Sequence, residues 1–312
     1  MLIYLDREFR RTHTSHHSRF GSSNRTPEGM SEMAINGIEI NEKLAAEQII
    51  AQCMAHAWRR PGAPSQSFQS PIPFPPDSLR YAWDVITAHQ DSCLSPNKTA
   101  SPVNDRNDIE DLISWLDLEP SLRTQQFDSI FGLVISKDCP PYETEYLPWN
   151  DPTHRAQHLA DIAGFYQAFG VEPDPHSPER HDHLSLELDF LALLFAKLQR
   201  SECFDTPNNQ EHHEITKAAL EMFLKDHLLW WVPKFSQMVE NLARVRAAQA
   251  SGEVQRVLKQ LEGVARLLGT WSTYIHQAYV PAATGKSSPI PLAIAQLPQG
   301  YRDDEVGCSS CE

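Results

Sequence analysis

One run constrains this chain more than any other. It extends from His181 to Arg200 and reads HDHLSLELDFLALLFAKLQR. It has no proline or glycine, and leucine, phenylalanine and alanine fill most of its second half. Those residues favour helix, and Asp182 reads as the N-cap, its side-chain oxygen taking an amide of the first turn. At about 3.6 residues per turn, Leu184, Leu188, Leu191, Phe195 and Leu198 fall on one stripe. Leu186, Phe190, Leu193 and Leu194 carry that stripe past half the circumference. Only Ser185, Asp189, Ala192, Ala196 and Gln199 make a polar or small face. A helix this apolar belongs at the centre of a core.

Glu187 falls inside the apolar arc, with His183 one turn earlier on nearly the same side. A carboxylate there must be paired, hydrogen-bonded or protonated, because an unpaired buried charge is very costly. Two readings stand side by side: an internal His183–Glu187 pair that tidies the helix start, and a functional polar spot.

Elsewhere the pattern is helical throughout. Helices are predicted over Asn41–Trp58, Leu79–His89, Ile109–Leu116, Leu122–Val134, from Asp151-Pro152 to Gly170, Glu211–Trp231, from Phe235 past Val245, and Glu253–Ala278. Asp151 as N-cap with proline at the first helical position is a strong start. Ile215, Ala219, Met222 and Phe223 are expected on the inward face of their helix, and Phe235, Met238, Val239, Leu242 and Val245 on that of the next. Trp230 and Trp231 fit core packing or a groove for a partner helix. No stretch alternates as a strand does. The fold expected is all-α, a single globular bundle of about eight or nine helices. Residues 1–36 are polar and aperiodic and are expected to be disordered, with Met30 and Met33 as alternative starts. Residues 37–280 form the helical domain, interrupted by a proline-rich insertion at about 61–77, and 281–312 form a flexible tail.

These residues carry a resemblance. P-E-R followed by D-H-L-x-x-E-L-D-F, across 178–190, resembles the signature of the TorD/DmsD/NarJ family, chaperones of molybdenum enzymes of the dimethyl-sulfoxide-reductase type. Asp182, His183 and Glu187 match it. The family's proline is His181 here, and its second acid is Asp189. Upstream, Pro140, Pro141, Tyr142, Thr144 and Tyr146 fit a second element, P-P-Y-x-[ST]-x-[YW]. The resemblance implies a TorD-like helical fold and a cytoplasmic assembly chaperone. Its partner would be the apo catalytic subunit of a molybdoenzyme, with or without that subunit's twin-arginine signal peptide, before molybdopterin insertion. It implies a monomer or a domain-swapped dimer. Tyr142, Tyr146, Asp182, His183 and Glu187 are the candidate partner-binding residues, expected near one surface or groove.

Composition narrows the alternatives. A net charge of −14 over 312 residues argues against general nucleic-acid binding and docking to anionic lipid. No run is long and apolar enough for stable membrane insertion. Arg10-Arg11 lacks a following apolar region, so it is not an export signal, and a cytoplasmic location is expected. The six cysteines have no framework spacing, which suits a reducing compartment.

Catalytic chemistry finds no footing. Ala283-Thr284-Gly285-Lys286-Ser287 echoes the end of a phosphate loop, but Val280 stands where its first glycine belongs. The alternative function is a small metal-dependent hydrolase using the His/Glu/Asp cluster near 176–189. The spacing of His176, His181, His183 and Glu187 is not that of H-E-x-x-H or a Cys/His zinc site. No catalytic residue, cofactor or metal is therefore expected. Cys308 and Cys311, a C-x-x-C, stand as the weak metal candidates.

Overall fold

The reason for the architecture lies in the helix read first. In the computed structural model it runs from Leu184 to Glu202, and Leu184, Leu186, Leu188, Phe190, Leu191, Leu194 and Phe195 have no exposed surface. Even its small-residue face is covered, since Ser185 and Ala192 are buried.

The structure describes residues 2–4, 32–61, 73–93, 106–132, 138–148, 151–175, 179–202 and 207–280. Among them the order is β1 (Leu2–Tyr4), α1 (Glu32–Ala57), α2 (Pro76–Cys93), α3 (Arg106–Leu116), α4 (Pro120–Phe131), a 3-10 turn (Glu143–Tyr146), α5 (Pro152–Ala168), β2 (Val171–Pro173), α6 (Leu184–Glu202), α7 (Pro207–Phe223), a π-turn (Leu224–Leu228), α8 (Val232–Gln249) and α9 (Gly252–Tyr279). The described residues thus form an all-α bundle of nine helices, as expected, and none of these helices is long and apolar enough to cross a membrane. Residues up to Val280 make one compact unit.

Local chemistry fixes the helix ends. The Asp151 side chain accepts from the amide of Thr153 at 2.9 Å ahead of Pro152, and Gly170, at φ +71°, closes this segment as read from the sequence. At α4, Glu119 accepts from the amides of Ser121 and Leu122, with Pro120 at the first helical position. Helix α6 packs on α1 and α7, and α9 packs on α8 and α3. Gly263 on α9 lets α3 approach, since a Cβ there would collide with Asp111. At the centre, Trp58, Trp231 and Phe235 meet edge to face, with centroids 5.2 and 5.7 Å from Phe235.

Several expectations need correction. Helix α1 begins at Glu32, so Asn41, the expected start, lies inside it. Ile215 and Val245, read as inward, are exposed. The buried stripe of α7 runs through Thr216, Ala219, Leu220 and Phe223, one step round from the stripe that counts apolar residues alone. A two-stranded antiparallel sheet exists, pairing Leu2 with Pro173 and Tyr4 with Val171. Three residues per strand are too few for alternation to show. Of the N-terminal 36 residues, the strand and the first turns of α1 are described. The rest of that segment, residues 62–72 of the proline-rich insertion, His176, the phosphate-loop echo and Cys308 and Cys311 of the tail lie outside the described residues.

Candidate functional site

Two stretches that are far apart in sequence come together at the start of α6. The first is a strap, Asp138–Pro148, rich in proline and aromatics. The second is the turn Glu179–His183. Tyr142 and His183 form an isolated antiparallel bridge. Around it the amide of Glu143 donates to the Asp182 carbonyl at 2.9 Å, and the amide of Leu184 to the Pro141 carbonyl at 3.0 Å. The prolines suit this edge, because they have no amide of their own to satisfy.

Asp182 does not cap α6. Its buried carboxylate turns to the strap, where Oδ2 accepts from the Thr144 amide at 3.1 Å and the Thr144 hydroxyl at 2.7 Å. It thereby caps the 3-10 turn across the chain. Arg180 grips the same carboxylate at both oxygens, each at 3.0 Å, and lies over the Tyr142 ring at 4.4 Å. The guanidinium also reaches Glu145 at 3.3 Å. A bidentate arginine fixes orientation as well as charge.

His183 takes the capping place instead. Its Nδ1 accepts from the Ser185 amide at 3.1 Å, with the Ser185 hydroxyl at 2.8 Å. That leaves the proton on Nε2, which faces Glu179 at 3.4 Å. Burial, reinforced by the charge of Arg59, holds the imidazole pKa down at about 3, so the ring is neutral. The internal His183–Glu187 pair is therefore replaced by other partners. Glu187 Oε2 accepts from the Trp231 indole at 3.3 Å. Burial first, then the nearby Glu143 and Asp182 charges, pushes its pKa well above the usual carboxylate range. Both effects favour the protonated form of the Glu187 carboxyl.

Of the five residues singled out in the sequence, all converge here. Asp182, His183 and Glu187 have almost no exposed surface, while Tyr142 and Tyr146 are half-buried. The Tyr142 hydroxyl donates to Glu179 at 2.7 Å, and burial followed by that contact raises its pKa. Tyr146 lies against Trp231, with centroids 5.2 Å apart. Sequence reading missed Glu143, Thr144 and Arg180 as working parts, although Thr144 and Arg180 stand in the quoted motifs. It also missed His158 on α5 and His227 in the π-turn, for which no spacing signal exists. Beside the site a surface depression is lined by Leu147, His154, Gln157, His158, Ala160 and Asp161. The hydrolase reading is not favoured, because the polar atoms of Asp182 and His183 are already engaged by neighbours.

Comparison with known proteins agrees with the motif reading. The family model described as nitrate reductase delta subunit matches residues 105–237. The chaperone protein TorD of Vibrio cholerae is 33% identical over 85 residues, 26% of this chain and 33% of that protein. The perchlorate reductase assembly chaperone protein of Dechloromonas aromatica is 27% identical over 115 residues, 35% of this chain and 47% of that protein. The chain thus spans between a third and a half of the length of these relatives. No solved structure matches it. The resemblance to the TorD/DmsD/NarJ family is borne out by these matches.

Proposed function

We propose that this chain, akin to the TorD/DmsD/NarJ chaperones, is a cytoplasmic, non-enzymatic assembly chaperone for the catalytic subunit of a dimethyl-sulfoxide-reductase-type molybdoenzyme. It holds the apo subunit in a cofactor-accepting state and covers a twin-arginine signal peptide where the subunit carries one, until molybdopterin is inserted. One observation carries the reading: the two motif elements of the resemblance are paired to each other in space, by the Tyr142–His183 bridge and the Asp182–Thr144 contacts. A junction of that kind sets the shape of the strap, and the strap and α5 present the depression beside it.

The charges suit such a client. A signal peptide offers a basic end and an apolar stretch, and the chain carries net −14. Leu147 and Ala160 supply apolar surface in the depression, with Asp161 at its rim. Tyr142, Tyr146, Asp182, His183 and Glu187 then act mainly by positioning. The buried three hold the strap, and the two tyrosines form part of its outward side.

The test is co-purification of a molybdoenzyme catalytic subunit with the tagged full chain from its native host, repeated with Ala160→Arg. The reading expects the apo subunit with the parent chain and its loss with the variant, at unchanged melting temperature. Capture of cofactor-loaded enzyme only, or no difference between the two chains, would contradict it.

A further inference from the structure

Glu143 has a second side. Its carboxylate, fully buried, faces two imidazoles that no motif brought forward, those of His158 and His227. One ring nitrogen of each histidine and one carboxylate oxygen lie within 4.8 Å of one another. His158 Nε2 is 2.8 Å from Glu143 Oε1, and His227 Nδ1 is 3.4 Å from Glu143 Oε2. We propose that Glu143, His158 and His227 form a site for one divalent transition-metal ion, Zn2+ by preference, that ties the strap to α5 and to the π-turn.

Three observations support it. The first is donor chemistry, since two imidazoles and one carboxylate are a ligand set that zinc accepts, leaving a fourth position for water or a client group. The second is that His158 Nε2 is buried without a well-formed hydrogen bond despite its short approach to Glu143. A ring nitrogen close to an oxygen but not aimed at it suits two ligands directed at a common point. Ligands on one ion at about 2.0–2.1 Å stand roughly 3.3 Å apart in a tetrahedral arrangement, and the approaches of the two imidazoles to the two oxygens of Glu143, at 2.8 and 3.4 Å, bracket that spacing. The third is how the site is built. His227 is carried by a π-turn, closed by the Leu229 amide bonding to the Leu224 carbonyl at 2.9 Å, and such turns gather at functional sites.

The surroundings complete the arrangement. His227 Nε2 lies 3.3 Å from Asp161 without a formed hydrogen bond, within reach of the outer carboxylate contact that orients metal-bound imidazoles. The Trp230 indole donates to Glu143 Oε1 at 2.7 Å and helps to fix the carboxylate. His158 and Asp161 also line the surface depression, which gives an ion a route from solvent. Glu143 and His227 are separated by 84 residues, so neither a sequence window nor a short motif could reveal the set.

The experiment uses the metal-free full chain, titrated with Zn2+ against a chromogenic chelator, and with Co2+ followed by absorption. The expected result is one ion per chain, a Co2+ spectrum of nitrogen and oxygen ligands, and a higher melting temperature on loading. His158→Ala should weaken Zn2+ by more than about 100-fold, since even outer partners of a metal site are worth about 10- to 100-fold. It should also abolish the thermal shift. His158 is partly exposed, so this variant is expected to fold, and Glu143→Gln serves as the second variant. Absence of stoichiometric binding would overturn the proposal. So would binding unchanged in His158→Ala, or a thiolate-to-cobalt charge-transfer band that assigns the ion to cysteines.

Discussion

Three glutamates of this bundle are fully buried with a tryptophan indole as donor, and two of them, Glu47 and Glu187, differ in a telling way. Glu47 on α1 accepts from Trp271 at 2.9 Å, and Glu187 on α6 accepts from Trp231 at 3.3 Å. Around Glu47 the neighbours relieve the carboxylate. The indole, the Lys43 charge and Tyr274 all pull its pKa down, against burial that pushes it up to about 7. Around Glu187 the charged neighbours are Glu143 and Asp182, which push in the same direction as burial. Glu47 is a polar residue that the core tolerates. Glu187 sits in a cluster of acids whose arrangement serves the strap at some expense to its own charge. Frustration of this sort marks sites kept for a task.

The largest effect expected is at Asp182, which links the two motifs. Asp182→Ala leaves the Thr144 amide and hydroxyl without their acceptor and reduces the Arg180 guanidinium to Glu145 as its carboxylate partner, at a cost of about 4 kcal/mol. Urea unfolding reads it directly. A loss below about 1 kcal/mol would mean that the strap holds without this contact.

Next comes the pH dependence of Glu47. Its folded pKa of about 7 lies above the ordinary 4.5, so the folded chain binds a proton that the unfolded chain releases between those values. The stability it contributes is present at low pH and declines as pH rises from about 4.5 through 7. Relative to Glu47→Gln, the parent should lose on the order of 3 kcal/mol across that window. Melting curves of both chains at several pH values give the difference. A gap that does not change with pH would place Glu47 in an ordinary carboxylate environment and would sharpen the contrast with Glu187.

The smallest effect is at Glu187 itself. Its surroundings favour the neutral acid, which glutamine nearly matches in shape, so Glu187→Gln should alter stability by less than about 1 kcal/mol at neutral pH. A large gain would show that an ionised, repelling carboxylate had been removed. A large loss would show that the Trp231 indole requires the anion.

The contrast also explains what was legible in the sequence. Helix α6 was, because its leucines and phenylalanines cover more than half of its circumference, and α5 was, because Asp151-Pro152 and Gly170 mark its ends by backbone chemistry. The candidate residues were legible as a set through their motifs. Their partners were not. Asp182 reads as a cap from its place before an apolar run, yet Thr144 and Arg180 compete for its carboxylate and win, and that contact spans the chain. His183 and Glu187 are four residues apart and read as a pair, yet Ser185 and Trp231 are better placed. His158 and His227 carry no local pattern, and the π-turn that positions His227 is invisible to a period of about 3.6 residues. Local rules reach the elements, while the polar junction depends on which elements meet.

The central claim is that the strap and the turn it pairs with form the surface where an immature molybdoenzyme subunit is held. Amide hydrogen exchange on the full chain, with and without the apo catalytic subunit, tests it most directly, because it needs no substitution in a buried network. The account predicts slowed exchange in Asp138–Pro148, in Glu179–His183 and on the outer face of α5, with the packed face of α3 and α9 unchanged. Protection confined to α3 and α9, with the strap exchanging as it does alone, would contradict it.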